Sequence, residues 1–271
     1  MIGAFSLEQK VIVVTGGTGV LGEAFVQGIV EAGGAVAILG RNAAVARQRA
    51  AAVKELGGRA LAVVADVLDE DQLHAACQQV LATFGRIDGL VNGAGGNTPD
   101  AVLEPTQSAF ELNIAAMKRV MDSNLWGTIL PTQVFGPALA KSGGGSIVNI
   151  SSMTAQRAVT KVLGYSIGKA AVDCYTRWMA VELASRHGDQ LRLNALAPGF
   201  FLTEQNRALL TTPEGSYTQR GEQVVSQTPF KRFGQPSELQ GALVWLLSND
   251  SKFVTGSVIS VDGGFSVFSG V

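Results

Sequence analysis

Residues 11–22 read VIVVTGGTGVLG, a run of β-branched residues that breaks into glycines and then opens an amphipathic stretch. Val11 to Thr15 suits a buried strand, and the segment from about Gly22 to Ala32 suits a helix. Between them, Gly17-x-Gly19-x-x-Gly22 supplies glycine where the chain must turn tightly and let a ligand approach its backbone. Amides at such a helix start can cradle a pyrophosphate. A lone glycine fingerprint is equally the mark of a simple tight turn, but its place between strand and helix points to dinucleotide binding through Gly16, Thr18, Gly19, Val20 and Leu21.

Outward from this stretch the same alternation continues. Further strands are expected at Ala35 to Leu39, Ala60 to Ala65, Ile87 to Val91, Ser146 to Ile150, Leu191 to Asn194 and Ser257 to Val261. Helical periodicity occupies about 22–32, 43–56, 70–84, 115–141, 164–186 and 237–248. Parallel strands need crossover helices on the sheet faces, so the expected fold is α/β: one Rossmann-type domain over residues 1–271, a seven-stranded parallel sheet doubly wound with helices. TGGTG, ADV, NGAGG, SSM and APG then fall at strand carboxyl ends, where open α/β sheets bind ligands. Two long connections, about Gly93 to Ile114 and Ala195 to Pro236, read as functional loops, the second as a substrate cover at about 199–235.

The 271 residues are 46% hydrophobic and 16% charged, enough apolar matter for a substantial core. Lys plus Arg (21) nearly balances Asp plus Glu (22), which leaves no electrostatic footprint for nucleic acid or an anionic membrane. A small-molecule partner is expected. Cys77 and Cys174 are far apart and His74 and His187 lack partners at ligand spacing, so neither a disulfide framework nor a bound metal is expected. The opening MIGAFSLEQKVIVVTGG fits neither a signal peptide nor a membrane span, and the expected location is the cytoplasm.

At the end of the second strand, Arg41 stands where an NAD-selective site usually carries an acid. Its guanidinium can pair with a 2′-phosphate and leans toward NADP, whereas Asn42 can bond an unphosphorylated ribose. A solvated loop arginine is the plainer alternative. Asp66 and Val67 follow the third strand, where a carboxylate can accept from an adenine amino group or simply cap the next helix.

Tyr165-Ser166-Ile167-Gly168-Lys169 puts a phenol and an ammonium four residues apart, on one helix face. The ammonium is expected to lower the tyrosine from its ordinary value of about 10, so that Tyr165 exchanges a proton with a substrate oxygen while hydride moves at carbon. Ser152, closing a strand, can bond the same oxygen. A Y-x-x-x-K match by itself also describes an ordinary surface pair.

TGGTGVLG, NGAGG, IVNISS, YSIGK, RLNALAPGF and TGSVISVDGG together resemble the short-chain dehydrogenase/reductase family, in order and spacing, over essentially the whole chain. That resemblance implies a catalytic tetrad of Asn124, Ser152, Tyr165 and Lys169, with Lys169 also holding the nicotinamide ribose and Asn124 supporting a proton-relaying water. It adds Asn92, Ala94, Gly95, Tyr165, Pro198, Gly199, Phe201 and Thr203 to the NAD(P) site, although Phe200 and Phe201 themselves read as packing under the loop. It also implies a homo-oligomer, a tetramer or a dimer. Three features depart from the family: Val20 at a usual glycine place, Gly93 where many members carry asparagine, and a longer stretch from Gly93 to Asn124.

Smaller idiosyncrasies, among them LGRN, NGAGGN, SSMTAQR, APGFFLTEQNR and TPFKRFG, resemble the D-mannonate oxidoreductase (fructuronate reductase) subgroup and imply a sugar-acid substrate. Independently, Arg157, Lys161 and Arg207 are cations where a carboxylate can be gripped. Asn97, Met153, Gln156, Gln205 and Asn206 complete the candidate substrate wall. Each of these polar residues can instead simply face water. The alternatives are an oxidoreductase of another ketone or polyol, a sugar-nucleotide epimerase, or a non-catalytic dinucleotide-binding protein.

Overall fold

The computed structural model describes residues 5–203, 207 and 209–270. Strands β1 (Val11–Thr15), β2 (Ala35–Gly40), β3 (Ala60–Val64), β4 (Gly89–Asn92), β5 (Gly145–Ile150), β6 (Leu191–Pro198) and β7 (Val258–Val261) form one parallel sheet in the order β3-β2-β1-β4-β5-β6-β7. The order reverses between β1 and β4, which opens a crevice at their carboxyl ends. Helices among the described residues are α1 (Val20–Glu31), α2 (Ala43–Glu55), α3 (Glu70–Phe84), α4 (Ile114–Lys141), α5 (Leu163–His187), α6 (Gln219–Gln227) and α7 (Gln240–Leu247).

Both sheet faces are buried, which is why β1 and β2 are almost continuously apolar rather than alternating. Val11 and Val13 point to the layer holding α3, α4 and α5, where Leu73, Phe135, Leu139 and Leu183 pack. Ile12 and Val14 point to the opposite layer, against Phe25 and Ile29 of α1, Val53 of α2 and Leu243 and Leu247 of α7. Helix starts are fixed by side chains the local sequence supplies: Asn42 accepts from the Val45 amide and Asp69 from the Gln72 amide.

Several boundaries differ from expectation. β4 begins at Gly89; just before it, Asp88 bonds Val11 O and the Ser146 amide through its backbone while its carboxylate accepts from the Val11 amide and the Arg86 guanidinium. β6 runs on to Pro198: Ala195 to Pro198 pair with β7, and burial on both faces holds a stretch of weak strand formers. The second long connection therefore starts later than expected and contains α6, whose Thr218 side chain caps the Gly221 amide.

Candidate active site

The β1–α1 turn is packed backbone against backbone. Gly16 has φ +66°, and a Cβ there would lie 2.6 Å from the carbonyl carbon and oxygen of Gly93. A Cβ on Gly93 would in turn lie 2.9 Å from Thr15 O, a constraint on any side chain at this position. Thr15 Oγ1 ties the two loops, accepting from the Gly93 and Ala94 amides at 3.1 and 3.2 Å. From behind, Arg49 Nη1 donates to Gly17 O (2.6 Å) and Gly19 O (2.7 Å), while Nη2 reaches Glu23.

No side chain caps the start of α1, although α2, α3 and α4 each have a side-chain cap. With the loop carbonyls held by a guanidinium and the helix start uncapped, this turn fits an anionic pyrophosphate. Thr18, Val20 and Leu21 are half-buried and Gly19 is exposed on its rim. At the ends of β2 and β3, the exposed Arg41 guanidinium lies 3.7 Å from Asp66 Oδ2. Asn42 Oδ1 is engaged as the α2 cap, and its amide nitrogen faces no such demand and can meet a ribose hydroxyl. Asp66 is not the cap of α3; Asp69 is, and Asp66 Oδ1 accepts from the Leu68 amide. Val67 packs beside Gly127 of α4.

At the end of β4, Asn92 is buried and its Nδ2 donates to Thr132 Oγ1 and Asn149 Oδ1, which places its side chain inside the sheet–helix layer. Ala94 and Gly95 follow at the crevice, Gly95 with φ +140° and so placed that an added Cβ would lie 2.6 Å from Asn124 Oδ1. Asn124 is completely buried; its Oδ1 accepts from the Gly96 amide (3.2 Å) and its Nδ2 donates to Gly96 O (2.8 Å) and Val120 O (2.7 Å). It therefore clamps the glycine loop to α4.

Ser152 ends the β5 segment and α5 brings Tyr165 and Lys169 to it. Tyr165 bonds Ser152, and Lys169 Nζ sits 5.6 Å from the Tyr165 ring centroid while donating to Ile150 O at 2.6 Å. The expected acidification of the phenol is not found: burial pushes Tyr165 above its ordinary value, only partly opposed by Ser152. Burial also lowers Lys169 to about 8, with Asp173 opposing the shift. Burial is the dominant cause, and the ammonium turns to a backbone carbonyl beside the ring.

The candidate substrate residues separate. Arg157 does not reach toward substrate: Nε donates to Ser266 O (2.7 Å) and Nη2 to Phe268 O (3.0 Å), so it straps down the carboxy-terminal segment. Gln156 bonds the Asp173 carboxylate. Met153 is buried in a 3-10 turn at Met153–Ala155. Asn97 Oδ1 is shielded from solvent without a hydrogen-bond partner among the described residues. Lys161, at φ +78°, accepts from the Leu103 amide through its carbonyl and so ties the first long connection to the start of α5. Arg207 lies on the late connection, and its backbone amide bonds Thr203 O; Gln205 and Asn206 lie outside the described residues.

Pro198 ends β6, and a Cβ on Gly199 would lie 2.6 Å from Asp262 Cβ, so the two strand ends touch there. Phe201 is a core side chain, clustered with Leu239 and Leu243 and bridged to Gly234 through its backbone. Phe200 stacks edge-on with Phe265.

Sequence reasoning missed Arg49, Thr15, Asp173 and Arg220. Arg220 of α6 reaches Thr160 O at 3.5 Å and so links the late connection to the loop beyond Ser152. An arginine one helix away from a glycine loop carries no local signal, whereas Asp173, four residues past Lys169 on the same face, does.

A profile of the family described as Enoyl-(Acyl carrier protein) reductase matches residues 18–266. UxuB of Bacillus subtilis (strain 168), an uncharacterized oxidoreductase, is 44% identical over 278 residues, 98% of each chain. A solved structure from Haemophilus influenza with bound NAD, provisionally assigned as a D-mannonate oxidoreductase, matches with a TM-score of 0.90 at 39% identity over 98% of each chain. A gluconate 5-dehydrogenase from Burkholderia cenocepacia J2315, in complex with NADP and tartrate, matches with a TM-score of 0.84 at 32% identity, again over 98% of each. The chain belongs to the short-chain dehydrogenase/reductase family. It is an NAD(P)-dependent oxidoreductase of the EC 1.1.1 type.

Proposed function

We propose that this enzyme interconverts a ketone and a secondary alcohol on a sugar acid of the fructuronate/D-mannonate type, with Tyr165 exchanging the proton at oxygen. The observation that carries the chemistry is the convergence of Ser152, Tyr165 and Lys169 where β5 meets α5. Bound NAD(P) supplies or accepts the hydride at carbon. In reduction the Tyr165 hydroxyl donates its proton to the nascent alkoxide and Ser152 orients that oxygen. Burial keeps the phenol protonated at neutral pH, which suits a donor; in oxidation the positive Lys169 ammonium on the same helix face must stabilise the phenolate. Asn124 holds the Gly95–Gly96 loop at the rim of this site.

The sugar-acid reading is supported by the likeness to the provisional D-mannonate oxidoreductase and to the gluconate 5-dehydrogenase. With Arg157 engaged by the carboxy-terminal segment, Lys161 beside the catalytic serine loop and Arg220 on the cover support a carboxylate-bearing substrate. The cover itself is residues 199–235, over one Rossmann domain. Ile167, Cys174, Trp178 and Val181 form an exposed stripe on α5 beside exposed Trp126 of α4, and this stripe suits a homo-oligomer interface. An exposed free thiol at Cys174 suits a reducing compartment, hence the cytoplasm.

The test is a cofactor-absorbance screen over keto sugar acids and simple ketones, with NADH and NADPH in parallel. Turnover of keto sugar acids is expected. Reduction of simple ketones with every keto sugar acid ignored removes the substrate assignment.

A further inference from the structure

Three consecutive residues at the end of β5 each meet α5, and they do so at three positions spaced by four. Ile150 offers its carbonyl to Lys169 Nζ at 2.6 Å, Ser151 Oγ donates to Asp173 Oδ1, and Ser152 bonds Tyr165. Tyr165, Lys169 and Asp173 therefore occupy one face of α5, read rung by rung by 152, 150 and 151. Two of these rungs belong to the reaction already described. The third is a buried carboxylate to which that reaction assigns no part.

Asp173 is 4% exposed, a place where an ionised carboxylate persists only if its oxygens are satisfied and a positive charge is near. Both conditions are met. Ser151 and the Gln156 side chain bond it, and the charged groups facing it are Lys169 and Arg177, both on α5. Ser151 also anchors the other side of the junction, its amide donating to Leu196 O of β6 at 2.7 Å. Burial works against the Lys169 ammonium, and Asp173 is the group that works for it.

We propose that Asp173 is a positioning residue of this active site: its carboxylate, held by Ser151 and Gln156, keeps Lys169 positively charged and fixes the Tyr165–Lys169 face of α5 against the end of β5. The role in catalysis rests on the function proposed above, while the electrostatic role does not. Without Asp173, Lys169 faces burial alone and releases its proton at lower pH, which removes the cation that a Tyr165 phenolate requires.

The experiment follows the Lys169 titration directly, with no substrate present. In protein carrying 13C at lysine Cε, the Lys169 resonance is assigned by its loss in Lys169→Arg, and its midpoint is compared with that in Asp173→Asn. A midpoint lower by about one pH unit or more is expected in Asp173→Asn. The same midpoint in a folded Asp173→Asn overturns the proposal. If that variant does not fold, the unsubstituted protein answers instead: the Asp173 Cγ resonance, assigned by sequential connectivity, must shift again as Lys169 titrates, and a flat trace there overturns it. In the kinetic arm, the rise of kcat/KM with pH for alcohol oxidation moves to higher pH in Asp173→Asn. A shifted Lys169 midpoint in a protein inactive on all alcohols sinks the functional reading and leaves the electrostatic one standing.

Discussion

Gly22 is the third residue of α1, and replacing it by alanine sets two effects against each other. Helix propensity favours alanine over glycine by about 0.8–1 kcal/mol in a helix interior. Against this, the added Cβ would stand 2.1 Å from Gly16 O, 2.8 Å from Gly17 Cα and 2.9 Å from Gly16 C. All three are backbone atoms, so no rotamer change relieves the overlap; α1 must move off the glycine loop. Overpacking of a rigid site costs about 1–3 kcal/mol, and this overlap belongs at the upper end. The propensity gain offsets part of it, leaving a net loss of about 2 kcal/mol, or about 5 °C in melting temperature for a chain of this size.

The same movement displaces the amides that face the pyrophosphate, so the Kd for NAD(P)H, followed by its fluorescence, is expected to rise tenfold or more. Gly241→Ala is the control: nothing lies within 4 Å of its added carbon, and it should stabilise by about 0.5–1 kcal/mol. A Gly22→Ala protein with unchanged melting temperature and cofactor affinity refutes the reasoning.

Other perturbations separate the parts of the site. Arg41→Ala should weaken NADPH about tenfold more than NADH in parallel fluorescence titrations, because a 2′-phosphate loses a charge-assisted partner; equal losses would place the guanidinium elsewhere. Arg157→Ala should release the carboxy-terminal segment, raising amide hydrogen exchange over 265–270 about tenfold with cofactor affinity intact. Glu238 is held down to about 2 by its bonds to Arg232 and to the Gln235 amide. Because that folded value lies below the ordinary 4.5, its stabilisation is present above about pH 4.5 and fades as pH falls toward 2. Unfolding curves of Arg232→Ala should therefore lose part of this acid-limb slope, and an identical pH dependence would discount the pair.

The sheet was legible because burial on both faces writes β1 and β2 as nearly unbroken apolar runs, a signal local to each strand. β6 was under-read for the opposite reason: Ala195, Ala197 and Pro198 are weak strand formers, and only pairing to β7 reveals them. Tyr165, Lys169 and Ser152 were legible because helix spacing and a strand end bring them together without knowledge of distant chain. Arg157 misled because its partners, Ser266 and Phe268, lie more than a hundred residues away, and a cation beside a catalytic serine looks the same in sequence whether it grips substrate or backbone. The direction of the Tyr165 shift was misjudged because a four-residue spacing reports neither the burial of the phenol nor the turn of Lys169 Nζ onto Ile150 O.

The most direct test is Tyr165→Phe, which deletes one oxygen from the site and leaves the glycine turn, Arg49 and Lys169 in place. NAD(P)H binding should remain within about threefold of the unsubstituted protein, while kcat for carbonyl reduction falls by about 10²–10⁴. An unchanged kcat in a folded, cofactor-binding Tyr165→Phe protein would contradict the assignment of the proton to this phenol.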